Sequence, residues 1–149
     1  MTKNVIEEVA AWHKAVTPAP DYQTVQTSLG THFSLMTEML NELKGQCATS
    51  ERTILKARHA MSSLANLFNS GSGKAMIGND EALLHNICEQ VVSLVGVCHT
   101  MHYDIVPAMA EMSGSNNTML TNGKADYFPN GKLRVAPSYV PPSLDIFIG

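Results

Sequence analysis

Two stretches carry residues of the kind that hold metal ions: Met36-Thr37-Glu38-Met39-Leu40 and Leu84-His85-Asn86-Ile87-Cys88-Glu89. Both are otherwise apolar and helical in pattern, a setting in which a charged side chain is costly unless it has a task or reaches water. Carboxylates at i, i+3 or i+4 project from one side of a helix. Two such helices face to face can hold Mg²⁺, polarise a phosphate chain and activate water. Glu38 and Glu42 could pair in this way with Glu81, His85 and Glu89, although His85 would introduce a softer nitrogen ligand. The question the sequence poses is whether enough acids are present.

The elements that must position these residues are helices followed by a polar tail. A first helix is expected from Asn4 to Val16, capped by Asn4 with Glu7, its stripe Val5, Val9, Trp12 and Val16. Pro18 and Pro20 interrupt the chain. A second helix follows from Gln23 to Lys44, with Val25, Leu29, Phe33, Met36, Leu40 and Leu43 at helical spacing and Gly45 at its end. A third starts behind Thr49 or Ser50 and carries Ile54, Ala57, Met61, Leu64 and Phe68. The fourth, Asp80 to His102, is apolar on most sides, as a helix central in a bundle or between subunits would be. A short fifth helix runs from Asp104 through Met112. The expected fold is all-α: an antiparallel helical bundle of four to five helices with an extended irregular C-terminal tail. Residues 1–113 form the bundle, and residues 114–149 form a tail packed on it or on a neighbouring subunit, within a single domain overall.

Composition narrows the class. The chain has 149 residues, 44% of them hydrophobic and 15% charged, which argues against disorder. No apolar run reaches the ~18 residues needed to span a bilayer, and Met1-Thr2-Lys3-Asn4 does not begin a signal peptide. The expected location is cytoplasmic, or the host cytoplasm if the chain is phage-encoded. Cys88 and Cys98 stand about 15 Å apart along one helix, too far for a disulfide, so the three cysteines read as small buried hydrophobes. Gly71-Ser72-Gly73-Lys74 has neither the glycine spacing nor the Ser or Thr of a phosphate loop. His99 lies about 21 Å along the helix from His85 and His102 farther still, so neither converges with it in one chain.

The order of features resembles the all-α nucleotide pyrophosphohydrolases, the MazG-like and phosphoribosyl-ATP-pyrophosphohydrolase-like group. The resemblance rests on Gly30-Thr31-His32-Phe33 entering the acidic helix and Cys88-Glu89-Gln90-Val91-Val92 in the second core helix. It continues through Tyr103-Asp104-Ile105-Val106, Glu111 with Ser115-Asn116, and Asn130-Gly131-Lys132-Leu133-Arg134 with Tyr139-Val140-Pro141-Pro142. That family carries a Glu-Glu-x-x-Glu helix facing a Glu-x-x-Asp helix. Here the first motif falls on Ser34, Leu35 and Glu38, and the second on Ala82 and His85, with Glu89 one turn on. The resemblance thus implies residual site positions at Ser34, Leu35, Glu38, His85, Glu89, Ser115 and Asn116, with no metal held and no catalytic residue.

The tail offers a different chemistry. Between Asn122 and Val140 stand Lys124, Lys132 and Arg134 against Asp126 alone, while the rest of the chain holds seven basic and twelve acidic residues. Interleaved are Tyr127, Phe128 and Tyr139, three of the nine aromatics. Cations for phosphates alternating with rings for bases compose a single-strand surface. The structural alternative is that the rings pin an irregular tail to the bundle. The expectation is therefore a non-catalytic descendant of the pyrophosphohydrolase fold that binds nucleic acid, single-stranded DNA foremost, as a phage regulatory protein, without a cofactor. The alternatives are a divergent, Mg²⁺-dependent, dUTPase-like pyrophosphohydrolase and a protein-interaction module using the apolar tip Leu144-Asp145-Ile146-Phe147-Ile148-Gly149. The apolar fourth helix implies a homodimer or homotetramer.

Overall fold

The computed structural model describes residues 4–149; Met1, Thr2 and Lys3 of the opening segment lie outside the described residues. The chain is all-α, with five helices among the described residues: α1 (Val5–Val16), α2 (Tyr22–Asn41), α3 (Ala48–Asn69), α4 (Asp80–Thr100) and α5 (Ile105–Asn117). A 3-10 turn, Asp145–Phe147, lies in the tail. Among the described residues no helix is long and apolar enough to cross a membrane. The chain divides into two compact units: Ala19–Gly78, and the N-terminal segment to Pro18 together with Asn79–Gly149.

The unit Ala19–Gly78 is the hairpin of α2 and α3. Asp21 caps α2 by accepting the Thr24 amide at 2.8 Å, while the Thr24 hydroxyl accepts the Asp21 amide. At the other end Gly45 fits the turn because a Cβ there would strike the backbone of Glu51. The buried side of α2 is not its most apolar one. Gln26 and Gly30 are buried and Leu29, Phe33 and Leu40 of the expected stripe are half-buried, whereas its Val25 and Met36, with Leu35 and Met39, are exposed. Gly30 brings α2 close to Asn69, and Phe33 meets Phe68 edge to face at 5.4 Å between ring centroids. Gln26, only 2% exposed, holds the segment after α3 by both hydrogen bonds of its amide. Its Nε2 donates to the Ala75 carbonyl and its Oε1 accepts the Ala75 amide, each at 3.1 Å.

The second unit joins α1, α4, α5 and the tail. The α1 stripe of Val5, Val9, Trp12 and Val16 is half-buried as its spacing predicts, and Asn4 with Glu7 closes the capping box. The Trp12 indole donates to the Asn116 carbonyl at 2.8 Å, and the Ser113 hydroxyl donates to Glu8 at 3.0 Å. These partners keep α5 helical through Asn117, beyond the Met112 that periodicity suggests, and Asp104 stands before it without a side-chain cap. The cysteines differ from expectation. Cys47 and Cys88 are exposed and Cys98 is half-buried, because Cys47 occupies the N-cap of α3 and Cys88 the watered side of α4.

Two expectations follow. Gln26→Ala leaves the Ala75 amide without this partner and its carbonyl with the Tyr22 hydroxyl alone, at 3.3 Å; it should cost about 1–3 kcal/mol, with faster hydrogen exchange around residue 75, as urea denaturation and exchange mass spectrometry check. The Thr24 amide bonded to Asp21 holds its carboxyl below the ordinary carboxylate range. The cap's contribution is therefore complete above the unfolded carboxylate pKa and is lost as the pH falls through the folded one. Asp21→Asn should flatten that part of the acid limb of a stability–pH curve.

Candidate nucleic-acid interface

The tail is built from two tight turns. Asn122 and Gly123 both adopt positive φ, 51° and 74°, the geometry that joins paired segments through a two-residue loop. Thr121 and Lys124 accordingly exchange backbone hydrogen bonds at 2.9 and 3.0 Å. The second turn is Phe128-Pro129-Asn130-Gly131, closed by the Gly131 amide on the Phe128 carbonyl at 2.9 Å, with Gly131 at φ 83°. On either side, the Phe128 amide donates to Lys132 and the Arg134 amide donates to Asp126, each at 2.8 Å, and Tyr127 bridges Leu133.

This register sorts the side chains. Successive residues of a paired segment point to opposite faces, so Asp126, Phe128, Lys132 and Arg134 share one face while Tyr127 and Leu133 share the other. The contacts agree. The Arg134 guanidinium lies 4.7 Å from the Phe128 ring centroid and 3.8 Å from the Asp126 carboxylate. The Tyr127 hydroxyl donates to the Val16 carbonyl, and Leu133 is half-buried. Phe128 stays 47% exposed, and Lys132 and Arg134 are exposed.

Three of the six candidate residues therefore converge on an outward face: Phe128, Lys132 and Arg134. Lys124 is exposed on the preceding turn. Tyr127 is a structural tie, and Tyr139 is half-buried just beyond the buried Ala136. Asp126 offsets part of the Arg134 charge across an exposed pair, where screening leaves little net energy.

The residues expected at a residual metal site lie on separate elements. The Ser34 hydroxyl donates to the Gly30 carbonyl at 3.0 Å and accepts from Asn69 at 3.2 Å. Leu35 and Glu38 are exposed on α2. On α4, His85 and Glu89 lie 3.2 Å apart, both exposed. The Ser115 hydroxyl donates to the Val140 carbonyl at 2.6 Å, and Asn116 serves Trp12 through its carbonyl. Among the described residues no three His, Cys, Asp or Glu side chains converge as metal ligands. One perturbed group was not foreseen. The Ser50 hydroxyl, 3.3 Å from the Cys47 sulfur, leads the hydrogen bonds that hold this thiol below its ordinary pKa.

Tyr127→Phe should lower stability by about 1 kcal/mol through loss of its bond to Val16, whereas Phe128→Ala, on the outward face, should change it by less than about 0.5 kcal/mol. Thermal unfolding of the two variants separates the tie from the surface. Comparison with protein-family models, curated proteins and solved structures gives no match to this chain.

Proposed function

We propose that this chain is a non-catalytic protein of the all-α pyrophosphohydrolase type that binds nucleic acid, single-stranded DNA in preference, and acts as a phage regulatory protein. The supporting observation is the outward face of the tail turn, where the Phe128 ring, Lys132 and Arg134 stand together and exposed. A flat ring accepts any base by stacking, and the flanking cations meet the phosphates on either side. The tight turn between Phe128 and Lys132, with that of Asn122-Gly123 before it, gives this face a defined backbone, so less of the chain must be ordered on binding. Lys124 extends the positive charge along the same segment. The vacant carboxylate positions Ser34, Leu35, Ala82 and His85 support the non-catalytic part of the reading. The protein works as a homodimer or homotetramer, so each assembly presents more than one such face, and a strand reaching two of them binds with avidity.

The test is a fluorescence-anisotropy titration of a single-stranded oligonucleotide across a salt series. Phe128→Ala should weaken binding by about 5- to 100-fold, the range of one stacked base. Lys132→Ala should lower the salt slope by about 0.7. Unchanged affinity in Phe128→Ala, Lys132→Ala and Arg134→Ala alike would refute the tail's role. Pyrophosphate release from dUTP with Mg²⁺, abolished by Glu38→Gln, would replace this reading with the enzymatic one.

A further inference from the structure

No residue of α4 is buried, and only Leu83 and Cys98 are half-buried. The stripe Leu84, Cys88, Val91 and Val95, spaced i, i+4, i+7 and i+11, lies in water, with Leu84 62%, Val91 47% and Val95 46% exposed. Ile87 and Leu94 flank it on one side and Val92 on the other, all exposed. Together these side chains present on the order of 500 Å² of apolar surface, as large as the main patch of an ordinary monomer. That is more than half of the about 800 Å² that each partner brings to a standard interface.

The polar groups at the helix ends, acidic carboxylates at one and an imidazole able to donate a hydrogen bond at the other, indicate the occupant. Asp80 and Glu81 stand in the first turn and His99 in the last. Glu81 and His99 are eighteen residues apart, five full turns, and so lie on the same flank of the stripe at opposite ends. When two copies of a helix pair antiparallel, like flanks face each other and the contact is isologous. Glu81 then meets His99 of the partner subunit, twice over, at the two ends of the seam. A parallel pair instead sets two acidic first turns side by side, with helix dipoles aligned.

We infer that α4 pairs antiparallel with α4 of a second copy of this chain along Leu84, Cys88, Val91 and Val95. The inference rests on the self-association proposed above and is independent of nucleic-acid binding. Sedimentation of the full chain should give twice its 16.1 kDa mass. Val91→Glu alters only an exposed position and should weaken the dimer at least about 100-fold with unchanged helical circular dichroism, because it buries an unpaired charge in the seam. Chains carrying Leu84→Cys and Val95→Cys, mixed and oxidised, should yield a disulfide between 84 and 95 by peptide mass mapping. A monomeric wild-type mass would overturn both this inference and the self-association reading. A dimer untouched by Val91→Glu, or disulfides joining 84 to 84 and 95 to 95, would overturn the antiparallel α4 seam alone.

Discussion

The constraint on which this structure depends is an imbalance between apolar side chains and the places that bury them. Among the described residues the buried apolar side chains are Ala65, Phe68, Leu120 and Ala136, and three polar residues, Gln26, Ser113 and Ser115, are buried beside them. Ordering a chain costs about 1–2 kcal/mol per residue in backbone entropy, and so small a buried set offsets little of it. Polar ties between distant segments consequently carry much of the specificity within each unit. Gln26 grips Ala75, Ser115 grips Val140, and Trp12 reaches Asn116. A buried polar group must find its partner, so such ties select one arrangement more sharply than loose apolar contact does.

The same imbalance shapes both surfaces proposed for function. On α4 only Leu83 and Cys98 are half-buried, so the apolar stripe stands open, and its polar ends suit the proposed second copy turned end for end. On the tail the Val140 and Tyr127 ties hold the backbone down, which leaves the alternate residues free to face outward. An irregular segment gains a usable face because its neighbours in sequence are anchored.

The positions at which the sequence suggested a residual site have partners within the chain. Ser34 and Ser115 make intramolecular hydrogen bonds, and His85 pairs with Glu89 one turn away.

Much of the framework is legible in the sequence because it depends on near neighbours. Helix existence, the Asn4–Glu7 cap, the α1 stripe and the Asn122-Gly123 turn are all set by residues within a few positions of one another. The tail's cationic and aromatic composition is likewise plain. Which face of α2 turns inward was decided only by tertiary structure, since Gly30 and Gln26 win over Val25 and Met36 through close approach to Asn69 and a paired amide on Ala75. The extension of α5 to Asn117 and the separation of Tyr127 from Phe128 arose in the same way, from Glu8, Val16 and Val140, which lie far off in the chain. Local propensity and turn chemistry are written in short stretches of sequence; the choice of inward face depends on a partner that only folding brings near.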